Sequence, residues 1–264
     1  MKPSEVITIV SLVLSIALLL TLAYVYLVPS TSVRDLAVFY LYTTYNPVEK
    51  YTAYSPEGVT AIVWDYRGLD TLFETAVFYL ALIAGLALAR RLFAETTVSS
   101  ARAGLSTIVK TVTRLTAPMI IAVGASIGLH GHLTPGGGFQ GGSTIAVAPL
   151  LIIVIFSVYY LLASGLTTNK MLALRSMGLA GIGLTAISAL LVGLLKGEHA
   201  YVFQNMPKPD SLVGLPSHIG EFLISGTLWF FNLFEAMAVA AGFTMAFIVL
   251  LLVKEVSGNE RRDH

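Results

Sequence analysis

The sequence predicts an all-α polytopic membrane protein with about six transmembrane helices and both termini in the cytoplasm. Hydrophobic residues make up 56% of the 264 residues and charged residues only 12%, whereas soluble domains hold about 25% charged residues. The mean hydropathy is +0.79. The apolar residues also collect in six long runs, as expected of helices that cross a hydrocarbon core of about 30 Å.

The composition also argues against several classes of function. The chain has no cysteine, so it holds no disulfide, no iron–sulfur ligand and no thiolate nucleophile. Its net charge of +1 favours neither nucleic acid nor an acidic partner. The five histidines include no pair placed mid-membrane on two helices, as a haem would need. We therefore expect no metal and no cofactor in this chain.

The first apolar run covers residues 6–28. Its 23 residues exceed the roughly 7–15 apolar residues of a signal peptide, so a retained helix that ends before Pro29 is predicted. A connector rich in tyrosine follows at 30–70, in which 33–45 is predicted to form a short interfacial helix. Tyrosine side chains suit the headgroup zone of a membrane.

The second apolar run, 75–89, follows the string Asp-Tyr-Arg-Gly-Leu-Asp-Thr-Leu-Phe-Glu, which ends at Glu74. Asp70 and Glu74 are four residues apart and share a helix face. Thr71 and Glu74 also have the spacing of a capping box, in which both side chains bind free N–H groups of a first helical turn. A capping role and a functional role for Glu74 both remain open.

This string resembles the C-terminal part of the large antiporter-like Mrp subunit, which stands alone as a small MbhE-like subunit in archaeal membrane-bound hydrogenases. The similarity covers about ten residues and departs mildly at Leu69, where the family usually has Phe. The resemblance implies that Glu74, with Asp70, belongs to an ion path. Asp65 and Arg67 are predicted to be polar residues of the membrane interface.

Residues 90–114 form a basic linker with five arginines and lysines against one acid, Glu95. We place the boundary between two modules here. An MbhE-like segment with two helices is predicted at 1–96, and a domain with four helices at 97–264.

The third span, at about 114–129, leads into a stretch that starts at His130 and holds six glycines and one proline in thirteen residues. Proline lacks an N–H and glycine accepts positive φ, so the chain can reverse tightly here. Glycines four apart also let a neighbouring helix approach closely. The residues predicted to serve the hinge and its packing are Pro135, Gly136, Gly137, Gly138, Gly141 and Gly142.

The same stretch, His-Gly-His-Leu-Thr-Pro-Gly-Gly-Gly-Phe-Gln-Gly-Gly, resembles the signature of the MnhB family. These are small membrane subunits of Mrp-type Na⁺/H⁺ antiporters and of archaeal membrane-bound hydrogenases and related respiratory complexes. His130 and His132 flank one residue, as in some metal sites, but no third ligand lies nearby in sequence. We interpret them as interfacial histidines hydrogen-bonded at a helix end.

Three further spans are predicted after the hinge. They cover 139–163, with a kink at Pro149, then 172–195, and finally 226–253. A proline-containing connector at 196–220 separates the last two.

Glu235 lies inside the sixth span, nine residues after Gly226, which corresponds to a depth of roughly 13 Å. A carboxylate at such a depth costs about 2.5–3.5 kcal/mol, so it must be paired, protonated or facing water. Asn232 lies one turn earlier on the same face. Glu235 and Asn232 are therefore predicted, with Glu74, to line a proton or sodium path. A neutral carboxylic acid that only holds helices together is the alternative.

The basic residues set the orientation. With six spans, eleven of the sixteen lysines and arginines, Arg175 among them, lie on the side of both termini. The positive-inside rule then places both termini in the cytoplasm.

Taken together, the two resemblances imply a non-catalytic integral-membrane subunit of a multi-subunit cation/proton-translocating complex, in the plasma membrane of a prokaryote. The expected partners are a large antiporter-like subunit, small hydrophobic subunits, Na⁺, H⁺ and membrane lipid, with any redox catalysis on other subunits. No nucleophile, metal or cofactor motif of an enzyme is present in the sequence. A self-contained transporter and a purely structural assembly subunit remain as alternatives.

Overall fold

A computed structural model describes residues 3–27, 33–95 and 105–260. Most of these residues are helical, and six of the described helices are long and apolar enough to cross a membrane. The predicted class of an all-α polytopic membrane protein is thereby confirmed, whereas the side on which the termini lie stays a prediction. The spanning helices are α1 (Pro3–Leu22), α4 (Gly68–Glu95), α5 (Thr107–Leu129), α6 (Gly138–Ile155), α8 (Thr168–Lys196) and α9 (Leu228–Glu260).

The remaining elements are short. They are the π-helical turns Ala23–Leu27 and Ala61–Tyr66, the helices α2 (Asp35–Thr44), α3 (Gly58–Thr60) and α7 (Val158–Ala163), and an antiparallel hairpin of β1 (His218–Ile219) and β2 (Phe222–Leu223). The chain divides into two compact units, Met1–Tyr40 and Leu41–His264. The first contains α1, and the second contains the other five spanning helices.

Helix α9 is the centre of the second unit and packs against α4, α5, α6 and α8. Small residues make this packing possible, as expected where helices associate in a membrane. A Cβ added to Gly142 of α6 would lie 2.6 Å from the carbonyl oxygen of Ala236, and one added to Gly178 of α8 would lie 2.7 Å from that of Phe234. The helix backbones therefore touch at positions that only glycine allows.

Helices α5 and α6 form the two arms of the glycine hinge and pack closely along each other. A Cβ on Gly124 would lie 2.8 Å from the backbone nitrogen of Ile145, and one on Gly141 would lie 2.6 Å from the Cα of Gly128. Gly137, at the turn itself, has φ +146°, which favours glycine.

The connectors 45–67, before α4, and 197–227, between α8 and α9, cover the hinge end of the bundle. The buried Asn205 of the second connector joins the two, because its Nδ2 donates to the carbonyl of Ala53 at 3.0 Å. Its Oδ1 accepts from the N–H of Thr227 at 2.7 Å. The hydroxyls of Ser55 and Thr60 donate to the carbonyls of His132 and Gly131, both at 2.7 Å. The hinge is therefore clamped by the segment that precedes α4.

The structure corrects the predicted fourth span. Helix α6 continues through Pro149 and ends at Ile155, not at residue 163. The break comes at Ser157, whose φ is +150° and whose hydroxyl accepts from the N–H of Tyr160 to begin α7. The apolar run of the sequence hides this break, because the capping serine lies between hydrophobic residues.

The alternative of a capping box at Thr71 and Glu74 is wrong. Helix α4 already begins at Gly68, so Thr71 lies inside it, and its hydroxyl donates to the carbonyl of Val63 at 2.9 Å.

Arg175 does not lie in a loop, as the count of basic residues assumed. It is fully buried inside α8, so the count behind the predicted orientation falls from eleven basic residues to ten of the sixteen. The predicted orientation is the same with either count.

Two predictions fall outside the described residues. These are the end of the first span at Pro29 and the module boundary between 96 and 97.

Candidate functional site

The carboxyl group of Glu235 lies in the interior of the second unit, where the side chain is only 6% exposed. Its Oε2 accepts a hydrogen bond from the indole Nε1 of Trp64 at 3.2 Å, and it is also hydrogen-bonded by the backbone N–H of Phe139. Trp64 is held in place by stacking on Phe231, with ring centroids 4.4 Å apart and an interplanar angle of 2°. Glu235 therefore has donors from two different parts of the chain.

Asn232 binds the same helix end as Glu235. Its Oδ1 accepts from the backbone N–H of Gly138 at 3.2 Å, while its Nδ2 is buried without a partner in the described part of the chain. The first N–H groups of a helix have no partner within that helix, and they carry the positive end of its dipole. Two polar side chains of α9 thus cap the N-terminus of α6.

Gly138 makes this capping possible. A Cβ at this position would lie 2.6 Å from both the Oε2 of Glu235 and the carbonyl oxygen of Asn232. Only glycine lets α9 bring a carboxyl group this close to the helix end, so the hinge and Glu235 belong to one site.

A cavity of about 410 Å³ lies beside this helix end. Glu74 reaches it from α4 and Glu235 from α9, so the structure brings together two carboxyl groups that are 161 residues apart in sequence. The cavity has further polar groups and an aromatic wall. The polar residues are Thr60, Thr71, Thr75, Gln140 and Asn232, and the aromatic ones are Trp64, Phe78, Phe139 and Phe243.

Glu74 differs from Glu235 in its exposure. Its side chain lies at the surface of this chain, whereas that of Glu235 is enclosed. The cavity therefore opens at Glu74 to the lateral face of the helices. A carboxylate at membrane depth needs a partner or water, so Glu74 must find one of the two on this face.

Asp70 lies apart from the two glutamates. Its Oδ2 accepts from the Nε of Arg67 at 2.9 Å and from an Nη at 2.5 Å, and both side chains are more than 60% exposed. The two residues line a second pocket of about 470 Å³ with Asp65, Tyr66 and Phe203. The shared helix face of Asp70 and Glu74 does not bring them together, because Asp70 in the first turn of α4 folds back onto Arg67.

Asp65 is the buried carboxyl group of the second pocket. Its nearest cation is Lys208, with 3.7 Å between Nζ and Oδ2. Burial raises the pKa of Asp65 from 3.8 to about 6, and Lys208 opposes this increase only in part. The ion pair is longer than a hydrogen bond, so loss of hydration outweighs it.

The two histidines lie on the hinge. The Nδ1 of the exposed His130 is 3.0 Å from the carbonyl oxygen of Ser126, which indicates a protonated Nδ1. The Nε2 of the buried His132 is 2.8 Å from the carbonyl oxygen of Leu223. The Nδ1 of His132 has no partner in the described segments. Burial lowers the pKa of His132, which favours the neutral ring. Within the described ranges, no three His, Cys, Asp or Glu side chains are grouped to bind a metal.

The roles of two residues near the site do not follow from the sequence patterns above. Trp64 donates to Glu235 across 171 residues of sequence. Arg175, which the orientation argument places with the basic residues on the side of the termini, donates from its Nη1 to the carbonyl of Ala238 in α9. The apolar residues on both sides of Arg175 are a signal that it lies inside the helix.

Known proteins share the fold of the chain. It is similar to a chain of the membrane-bound sulfane sulfur reductase, an archaeal respiratory membrane complex, with a TM-score of 0.64 and 26% identity over 95% of this chain and 97% of that one. A chain of the Mrp complex from Dietzia sp. DQ12-45-1b gives a TM-score of 0.60 at 19% identity, which shows a common fold alone. This match covers 95% of our chain but only 26% of the Dietzia chain.

An uncharacterized protein of Methanocaldococcus jannaschii is 25% identical over 227 residues, which cover 78% of this chain and 83% of the relative. Residues 108–245, more than half of the chain, match the family described as a domain related to the MnhB subunit of the Na⁺/H⁺ antiporter. This range contains the glycine hinge, Asn232 and Glu235. The chain therefore belongs to the MnhB-related family, and it is a multi-pass membrane subunit of a cation-translocating complex.

Proposed function

We propose that this chain is a non-catalytic subunit that contributes the Glu74–Glu235 cavity to a proton or sodium path in the plasma membrane of a prokaryote. The observation that carries the proposal is that two helices present carboxyl groups to one cavity at the N-terminus of α6. A carboxyl group in such a place can take up a proton, or bind a cation when it is ionised.

The hydrogen bonds at Glu235 suit a group that changes its charge. The donors Trp64 Nε1 and Phe139 N–H stabilise a carboxylate, and the N-terminus of α6 adds the favourable end of its dipole. When Glu235 is protonated or binds a cation, these donors stay in place, because each belongs to a packed element. The cavity can therefore accept and release a positive charge without a large rearrangement.

The exposed side of the cavity indicates where a partner subunit would bind. Glu74 is exposed on the lateral face of the helices, so we expect a neighbouring membrane subunit to cover it. A fold of this kind occupies about a quarter of a longer chain in the Dietzia Mrp complex. This supports assembly with a large antiporter-like subunit and small hydrophobic subunits. Na⁺ and H⁺ are the ions that we propose for the path.

A purely structural role is the second candidate. The capping of α6 by Asn232 and Glu235 favours it, because a neutral Glu235 could also hold α6 against α9. The two functions differ in one respect, since only the ion path requires Glu235 to ionise.

Replacement by glutamine separates them. Glu235→Gln keeps the size of the side chain and can still accept a hydrogen bond, but it cannot ionise. The complex that contains this chain should assemble normally with Glu235→Gln, while Na⁺-dependent proton exchange in proteoliposomes should fall at least tenfold. Glu221→Gln, at an exposed position of the β1–β2 hairpin, is the matched control and should exchange at the wild-type rate. Wild-type exchange by Glu235→Gln would show that the carboxyl group is structural.

A further inference from the structure

Arg175 is a buried guanidinium inside a membrane-spanning helix. It lies seven residues after the start of α8, and its side chain has no exposed surface. A charged side chain at such a position is costly and is retained where it pairs with another group or faces a polar cavity.

The contacts of Arg175 are carbonyl groups and aromatic rings. Its Nη1 donates to Ala238 O at 2.6 Å and its Nη2 to Thr75 O at 3.4 Å, while Nε has no partner in the described segments. The guanidinium carbon lies 4.4 Å from the centroid of the Phe78 ring. Among the described residues no carboxylate forms an ion pair with Arg175. The protein therefore keeps a positive charge in its interior with only dipoles around it.

The position of this charge relates it to the cavity. Ala238 lies three residues after Glu235 on α9, and Thr75 is the residue that follows Glu74 on α4, so the guanidinium binds the backbone of both helices within three residues of the two glutamates. Phe78, against which the guanidinium packs, is part of the cavity wall. On the opposite side, Gly242 of α9 leaves the space that the Nη1 group occupies.

We propose that Arg175 is the fixed counter-charge of the Glu74–Glu235 cavity. With both glutamates ionised, Arg175 leaves one net negative charge, so that one proton or one monovalent cation neutralises the cavity. The inference rests on the proposed function. It adds that the cavity takes up one positive charge at a time. In this role Arg175 is a positioning residue that acts through the carboxyl groups.

The other groups around Arg175 do not change this balance. From α4 the Tyr79 ring faces the guanidinium, and its hydroxyl is hydrogen-bonded to Ser176 at 3.0 Å, whereas Glu74 lines the cavity. Among the described side chains of α9, Glu235 is the ionisable one that lines the cavity. Helix α6 contains no charged residue.

A merely structural arginine would join α8 to α4 and α9 through its two carbonyl contacts. Two substitutions separate charge from hydrogen bonding. Arg175→Lys keeps the charge but gives up the planar fork, and Arg175→Gln keeps a donor but removes the charge.

The test is the pH profile of Na⁺-dependent proton exchange by the complex in proteoliposomes. Arg175→Gln should move the pH of half-maximal exchange upward by about one unit, because removal of a nearby positive charge favours the protonated carboxyl groups. Arg175→Lys should keep the wild-type midpoint. The double variant Arg175→Gln/Glu74→Gln restores one net negative charge, so its midpoint should return toward that of the wild type. A wild-type profile for Arg175→Gln would overturn the proposal.

Assembly gives a second measurement if Arg175→Gln does not form the complex. Recovery of assembly in the double variant would support charge balance, and failure of both the double variant and Arg175→Lys to assemble would overturn it. The outcome for Glu235→Gln is independent. If Glu235→Gln abolishes exchange while Arg175→Gln keeps the wild-type profile, the ion path stands and only the counter-charge is wrong.

Discussion

The Oδ1 of Asn232 accepts a hydrogen bond from the backbone N–H of Gly138 at 3.2 Å. This contact joins the second turn of the last spanning helix to the first residue of α6, which the glycine hinge sets in place. Glu235, one turn later, binds the next residue of α6. The hinge is therefore more than a turn, because its glycines expose the helix end that α9 caps.

Gly138→Ala tests the close approach of α9 to this helix end. The new Cβ would lie 2.6 Å from Glu235 Oε2, so the carboxyl group or the α9 backbone must move. We expect a loss of about 1–3 kcal/mol in stability, the usual cost of overpacking, and less assembled complex. Thermal unfolding of the purified complex measures the change. Gly183→Ala is the control, since a Cβ there meets no atom within 4 Å and should be tolerated. Equal stability of the two variants would contradict the packing argument.

Asn232→Ala tests the cap itself. It removes the acceptor of the Gly138 N–H and leaves a buried donor without a partner, which costs about 1–3 kcal/mol. Asn232→Asp keeps an acceptor at the same place and should preserve more of the cap than alanine does. Hydrogen exchange of the first amides of α6 is the measurement. Unchanged protection in Asn232→Ala would show that the cap contributes little to the helix end.

Much of the fold follows from the sequence, because a helix that crosses a membrane needs a long apolar stretch, which is visible in the sequence. Each of the six apolar runs corresponds to a helix that is long and apolar enough to span a membrane. The break at Ser157 was missed because a single unusual φ leaves no trace in hydropathy.

The site was predicted only in part. Glu235 could be named because a carboxylate in an apolar run is unusual, and Glu74 because the string that ends with it resembles a known family. The structure brings both residues to one cavity. The hydrogen-bond partners of these carboxyl groups could not be predicted, because the contact of Trp64 with Glu235 depends on the tertiary path of the chain. Asp70 shows the converse, because its helical spacing from Glu74 is correct while its side chain binds Arg67 in another pocket.

The orientation of the chain can be tested with single cysteines, because the chain has none of its own. Glu221 in the turn of the β1–β2 hairpin and Asn169 in the first turn of α8 are exposed residues at opposite ends of the bundle. If both termini are cytoplasmic, an impermeant thiol reagent should label Glu221→Cys in intact cells but leave Asn169→Cys unlabelled. Both should react after permeabilisation, which is the control for reactivity. The reverse pattern in intact cells would show that the termini lie outside.

Asp65 makes the stability of the folded protein depend on pH, and the direction of this dependence follows from its pKa. Its pKa is raised from 3.8 in an unfolded chain to about 6 in the folded protein, because burial disfavours the charged form. The folded state thus binds a proton more tightly than the unfolded state, so the stability that Asp65 contributes is complete below about pH 4 and is lost as the pH rises through 6. The full loss corresponds to up to roughly 3 kcal/mol, of which solvent at the second pocket will screen a part.

Asp65→Asn removes this titration and keeps a side chain of the same shape. Its melting temperature relative to wild type should therefore be lowest near pH 4 and should rise up to pH 7, where the variant is the more stable protein. Lys208 keeps its hydrogen bond to the carbonyl of Thr52 at 3.1 Å, so it retains a partner when Asp65 is neutral. Lys208→Met, which removes the opposing cation, should increase the loss of stability between pH 4 and 7. If Asp65→Asn is instead less stable than wild type at pH 7, the ion pair with Lys208 outweighs the loss of hydration, and burial does not raise the pKa of Asp65.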